Sequence, residues 1–238
     1  MTAQDVLNAL ESDEITKAKN PSHKETIIRN ATSREIDTPR VIVKAAKSGK
    51  QIEFIFHKEP RIRIKLGGRE VEFETLSIGT KKVYPSKSNI YSNKEVVYEE
   101  VIEGVDLKYS IAGGVLVEEF ILKQQSAASF LGDIKQSLKT VDVKVVSPNS
   151  NTFGFYTEEG EELFKLSQPF AKDANGEVNH GVNFSLEKES FGYKLIKSFD
   201  QNFTQWLIDE ERVYPVSIDP SVIVSGGIEE AEVQYAAG

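Results

Sequence analysis

Residue-by-residue alternation of apolar with polar side chains is the feature that most limits what this chain can become. It recurs over Arg40–Lys44, Gln51–Phe56, Arg61–Leu66 and Val71–Leu76. In an extended backbone successive side chains leave on opposite faces, so each run turns one set of residues to a core and the other to water. Between the runs lie Ser48-Gly49-Lys50, Lys58-Glu59-Pro60 and Gly67-Gly68, where Gly or Pro suits a tight turn. Strands that recur about every ten residues leave no room for helical crossovers, so the sheets are predicted to be antiparallel.

The alternation resumes at Glu95–Tyr98, Asp106–Ile111 and Val115–Leu122, the last two joined by Ala112-Gly113-Gly114 as in a hairpin. Gln124–Thr140 breaks the rhythm. Phe130, Leu131, Ile134 and Leu138 have helical spacing, which predicts a short helix or irregular connector and a domain boundary there. Further strands are predicted over Val141–Val146, Thr152–Tyr156, Leu163–Leu166, Val178–Phe184, Tyr193–Ile196, Phe203–Ile208 and Val213–Ile218, with Asn175-Gly176 turning between two of them. At the start, Val6, Leu7 and Leu10 share one helical face ahead of Lys19-Asn20-Pro21. The predicted fold is therefore mainly β, an antiparallel sandwich-like architecture of one or two packed units. Its parts are a helix and connector over 1–20, a basic-leaning β unit over 21–125, an acidic one over 126–224, and a tail or linker over 225–238.

Composition removes several chemistries. The chain has no cysteine and three histidines, His23, His57 and His180, far apart in sequence. Disulfides, thiolate metal sites, iron–sulfur clusters and a cysteine nucleophile are excluded, and no cofactor or metal is expected. There is no phosphate-binding P-loop, no G-x-G-x-x-G and no G-x-S-x-G elbow. No apolar stretch reaches the roughly 18 residues that span a bilayer, and the first residues lack the basic and apolar regions of a secretory signal. The net charge of −8 is divided unevenly: residues 1–95 carry 18 basic and 13 acidic side chains, residues 96–238 carry 11 and 24. Basic residues thicken between Arg40 and Arg69, but no nucleic-acid-binding motif accompanies them, so no nucleic-acid partner is expected.

Two stretches carry more than composition. Val97–Tyr109, with Tyr98, Gly104, Asp106 and Tyr109, leads into Gly113-Gly114 and Glu118–Leu122. Trp206-Leu207 leads into Tyr214–Val222, with Pro215, Asp219 and Pro220. Together with Leu163–Gly176 they resemble a β-rich module of large bacterial secreted or cell-surface proteins, found upstream of DNRLRE-type domains or RHS/YD-type repeats. The resemblance covers residues 40–224 and implies a place and a structural role in a longer polypeptide, with no catalytic set attached. The residues themselves read the same way. Gly104 suits a positive φ, and Asp106 can accept N–H groups of the turn it closes. Tyr98 and Tyr109 fall on strands as packing residues. Pro215 and Pro220 bracket the last strand, and Asp219 before proline is biased to extended backbone.

Other candidates are weaker. Arg61, Arg63 and Lys65 set three cations on one strand face, which could bind an anionic glycan or wall polymer, pair with the acidic second half, or keep an edge strand from aggregating. Asp173, Asn175 and Glu177 alternate like the first ligands of a calcium loop. The glycine and glutamate that such a loop needs further on do not follow, which favours a hairpin turn. Glu99-Glu100, Glu118-Glu119, Glu158-Glu159 and Glu161-Glu162 could supply paired carboxylates. Neighbours on a strand face opposite ways, so each pair is predicted to have one outward carboxylate and one less exposed, as solvated charge rather than a glycosidase site. An intramolecular lysine–asparagine or lysine–aspartate isopeptide crosslink would need a buried lysine beside a carboxamide or carboxyl and a protonated catalytic acid, an arrangement that a linear sequence does not display.

These readings add up to an expectation: a non-catalytic structural or adhesive β module of a bacterial secreted or cell-surface protein. It would be extracellular or in the cell envelope, partnered by neighbouring domains or a surface protein. The alternative is a carbohydrate-binding module that stacks sugars on Tyr84, Tyr91 or Trp206. The second alternative is a hydrolase whose ionisable groups converge in a cleft.

Overall fold

A computed structural model describes residues 41–47, 50–84, 88–92, 95–112, 115–129, 131–149, 151–219, 222–224 and 231–235. The alternating runs pair into two antiparallel sheets. In the first, β1 (Val41–Lys47), β2 (Lys50–Phe56), β3 (Arg61–Leu66) and β4 (Arg69–Ile78) form a meander, and the short β5 (Lys81–Lys82) pairs with β4. Beyond β4 come β10 (Ile134–Val141), β17 (Gly192–Phe199) and β16 (Val182–Glu189), and β20 (Ala231–Tyr235) lies beside β1. The second meander is β6 (Ser88–Ser92), β7 (Glu95–Ile102), β8 (Val105–Ala112) and β9 (Val115–Leu122).

Two strands share the far edge of β9: β19 (Val222–Val224) along its start and β18 (Val216–Asp219) along its end. From β19 the sheet continues into β13 (Glu162–Leu166), β12 (Thr152–Tyr156) and β11 (Lys144–Asn149). From β18 it continues into β14 (Phe170–Lys172) and β15 (Val178–Asn179).

Local chemistry accounts for the pairing. Gly67 and Gly68 both take positive φ, 57° and 87°, in the two-residue turn between Leu66 and Arg69. That is the turn whose twist matches a hairpin. Ile62, Ile64 and Leu66 of β3, and Leu116, Phe120 and Leu122 of β9, point into a shared core. The sheets meet through aromatic rings: Phe56 of β2 lies 5.7 Å from Tyr109 of β8, and Phe73 of β4 lies 6.1 Å from Phe155 of β12. Burying each such side chain is worth about 1.5–3 kcal/mol.

Three expectations differ from the structure. Residues 134–141 form β10, held between β4 and β17, and helix is confined to the single turn α1 (Gln125–Ala128). Ile134, Gln136 and Leu138 all point inward at period two, and pairing on both edges overrides the weak helical spacing. Residues 203–208, expected as a strand, lie in α2 (Gln201–Ile208). Asp200 caps it by accepting from the Phe203 N–H at 2.7 Å, and Phe203 and Leu207 are buried one turn apart. Ala231–Tyr235, expected in a tail, pairs with β1.

The boundary expected within 124–140 falls where the chain returns to the first sheet, and strands from both sides of it contribute to both sheets. The helix expected over residues 1–20 lies outside the described residues. Among the described residues, no helix is long and apolar enough to cross a membrane.

Candidate functional site

The most unusual chemistry lies between the sheets. Three polar residues fall in phase with apolar neighbours: Glu118 of β9 between Leu116 and Phe120, Gln136 of β10 between Ile134 and Leu138, and Lys197 of β17 two residues after Leu195. Period two therefore carries all three inward, and Gln136 and Lys197 have no solvent exposure. Lys197 Nζ is ion-paired to Glu118 Oε2 and sits 4.6 Å from the centre of the Phe120 ring.

Glu118 Oε1 accepts from the Tyr109 hydroxyl at 2.8 Å and from Gln136 Nε2 at 2.7 Å. Gln136 Nε2 also donates to Thr75 Oγ1 at 3.1 Å, while Gln136 Oε1 has no partner. Strand register sets these meetings, since Tyr109 is directly opposite Glu118 and Gln136 opposite Thr75. Burial pushes the Tyr109 hydroxyl well above its usual pKa, and the neighbouring Glu118 charge adds to the rise. Ile62, Phe73, Phe184 and Leu195 line the cavity around the cluster. An ion pair in so apolar a setting depends on complete pairing, because each charge is costly to remove from water.

Of the residues singled out from sequence, Tyr109 and Glu118 lie in this cluster and the others lie elsewhere. The Tyr98 hydroxyl donates to the His57 carbonyl at 2.7 Å. Gly104 has φ 73°, and a Cβ there would come within 3.0 Å of Ala127 Cβ. Asp106 Oδ1 accepts from the Glu100 N–H at 2.7 Å and pairs with Lys123 at 2.9 Å, bracing the irregular end of β7. Tyr214 donates to the Leu207 carbonyl at 2.7 Å. β18, with Asp219 at its end, begins directly after Pro215, and Pro220 lies outside the described residues.

The basic row does not stand on an edge, and it pairs with carboxylates of its own half. β3 is central, and the cations face the carboxylates of β4: Arg63 meets Glu72 at 2.7 Å and Lys65 meets Glu70 at 2.8 Å. Arg61 reaches His57 Nδ1 at 3.3 Å and Glu59 at 3.8 Å. Burial alone would raise the Glu72 pKa, but Arg63, with Arg61 and Lys139, holds it below its ordinary value.

A carboxylate whose pKa is depressed by folding contributes stability above its unfolded pKa and loses it as pH falls through the folded value. Glu72→Gln is therefore expected to lower the melting temperature at neutral pH and to shrink its fall below about pH 4.5. Melting curves from pH 7 to pH 3 check this, and an unchanged acid slope would count against it.

Trp206 is not a free stacking platform. Arg212 lies 3.9 Å over its ring, and its Nε1 donates to Glu177 at 2.6 Å. Arg212 also binds Asp173 at 2.7 Å, and Asp173 Oδ1 accepts the N–H groups of Asn175 and Glu177 at 3.0 and 2.8 Å. The Asp173–Glu177 segment is thus a self-capped turn tied to α2. Tyr84 is exposed, and the Tyr91 side chain lies outside the described residues. Among the described residues, no three His, Asp or Glu side chains gather as a metal site.

Sequence reasoning passed over Gln136 and Lys197 and treated Glu118 as half of a solvated pair. The signal was present as a polar residue in phase with a core stripe.

Comparison with known proteins gives a third line of information. The chain is 29% identical over 212 residues to the tRNA nuclease WapA of Bacillus subtilis strain 168, an alignment that covers 83% of this chain and 8% of that protein. It is 29% identical over 213 residues to the tRNA3(Ser)-specific nuclease WapA of Bacillus spizizenii, again 83% and 8%. The chain thus spans about 8% of the length of the curated relatives it matches. No protein-family profile matches, and no solved structure matches.

These findings correct three expectations. The proteins matched are tRNA nucleases rather than the surface module upstream of DNRLRE-type or RHS/YD-type segments, and they bear the names of enzymes. The expectation of a non-enzymatic adhesive scaffold is withdrawn on the same ground.

Proposed function

We propose that this chain serves a nuclease that acts on tRNA, as a segment of the polypeptide that carries the activity. The observation behind the reading is the alignment of 83% of the chain with tRNA nucleases. Phosphodiester cleavage needs a positioned nucleophile and positive charge to meet the phosphate. Arg63 and Lys65 are engaged with Glu72 and Glu70, so in this reading the cations that contact tRNA lie elsewhere than on β3. Neighbouring domains of the same polypeptide are its protein partners.

An extracellular or cell-envelope location belongs to the same proposal, and a chain without thiols folds alike in either redox compartment. Fractionation of the source cells with an antibody to this chain checks it, a purely cytosolic signal counting against it.

The deciding experiment incubates total tRNA with the 238-residue chain and, separately, with the whole product of its gene, and resolves the RNA on a denaturing gel. Loss of intact tRNA is expected with the whole product. Intact tRNA in both reactions overturns the reading.

A further inference from the structure

The cluster between the sheets holds the parts of a condensation reaction. Gln136 faces Leu195 across the β10–β17 ladder, and Lys197 faces Ile134, so Gln136 and Lys197 are diagonal neighbours on one buried face. Diagonal pairs are within reach of long side chains. Glu118 bridges them from the opposite sheet, with one oxygen on Lys197 and the other on Gln136 Nε2. The carboxamide oxygen Gln136 Oε1 is buried without a partner, although buried polar atoms are nearly always satisfied. Gln136 and Lys197 have no solvent exposure, which limits competition from hydrolysis, and the packed strands hold amine, acid and amide together.

We propose that Lys197 and Gln136 join through an intramolecular isopeptide bond, with Glu118 as the proton carrier. In the apolar interior the ion pair gives way to its neutral form: the ammonium proton passes to Glu118 and leaves a free amine beside a carboxylic acid. The Lys197 Nζ lone pair attacks Gln136 Cδ. Glu118 gives its proton to Nε2, the atom it already meets at 2.7 Å, and takes one proton back from Nζ. The Cδ–Nε2 bond breaks with its electrons on nitrogen, ammonia departs, and an Nζ–Cδ amide remains. Glu118 ends as it began the step, protonated, and the chemistry needs no oxidant or metal. The Tyr109 hydroxyl, on the same carboxyl oxygen at 2.8 Å, positions the acid without entering the balance. The product ties β17 to β10 and so fastens the β16–β17 hairpin to the body of the first sheet.

Intact mass under denaturing conditions, followed by peptide mapping, tests this on the full chain. The expected result is a mass one ammonia below that of the sequence, after allowance for the initiator methionine, with one branched peptide joining the segments around Gln136 and Lys197. Lys197→Met and Gln136→Leu are each expected to restore the full mass and linear peptides. The unaltered chain decides the matter even if a variant fails to fold. A full mass with linear peptides overturns the proposal. So does an ammonia deficit that maps to Asn175-Gly176, or a loss of water that joins Lys197 to Glu118.

Discussion

Glu118→Ala is expected to destabilise the protein by about 3–5 kcal/mol, read as a fall in the urea midpoint at an unchanged slope. Lys197, Tyr109 and Gln136 each lose an interaction with the carboxylate at once, although Gln136 keeps its bond to Thr75. Lys197 has no solvent exposure, so its ammonium cannot turn to water when the Glu118 carboxylate is gone, and a buried charge that loses its counter-charge is costly. Lys197→Met is expected to lose less, about 2 kcal/mol, because the remaining carboxyl keeps two donors, Tyr109 and Gln136. The double variant is expected to be more stable than Glu118→Ala alone, the signature of coupled partners in a double-mutant cycle. A loss of less than about 1 kcal/mol for Glu118→Ala would mean that the cluster does not hold the sheets together. These magnitudes are for the chain without the isopeptide bond; where the bond has formed, each single variant also loses the crosslink and its fall is larger.

Sequence periodicity reached the meanders because their chemistry is local. Ile62, Ile64 and Leu66 declare a face by themselves, and Gly67-Gly68 declares the turn that follows. β10 was hidden by the residue that matters most in it. With Gln136 read as polar and outward, Ile134 and Leu138 are left four apart, a spacing that a helix satisfies equally well. Only the partners on both edges, β4 and β17, decide between the two, and those are distant in sequence. In α2 the aromatic and aliphatic run Phe203–Ile208 suggested a strand, although Asp200 stood in the capping position ahead of it.

The buried cluster is non-local in the same way. Glu118 and Lys197 are 79 residues apart and come from different sheets. No linear spacing could bring them together, and the Glu118-Glu119 doublet looked like ordinary solvated charge. Glu119 fits that picture, since it pairs with Lys108 at 3.2 Å near the surface.

Gly192→Ala is the second change expected to be severe, at about 3 kcal/mol. Gly192 opens β17 with φ 115°, and a Cβ there would lie 2.4 Å from the Leu138 carbonyl oxygen. Two costs add. A non-glycine residue at that φ is strained by about 1–3 kcal/mol, and forcing an extra carbon into packed surroundings costs about 1–3 kcal/mol more. The obstructing atom is backbone of β10, which is paired to strands on both sides, so it cannot swing away as a side chain would.

Gly68→Ala is the matched control. Gly68 also has positive φ, 87°, but a Cβ there would meet nothing within 4 Å. Its loss is expected to stay near 1 kcal/mol, the cost of strain alone. Relief of the Gly192→Ala clash would part β17 from β10 at Leu138, close to where Lys197 lies beside Gln136. Urea midpoints of the two variants measure the difference directly. Equal losses would show that the close approach of β17 to β10 adds nothing to backbone strain, and that the two strands can separate there without cost.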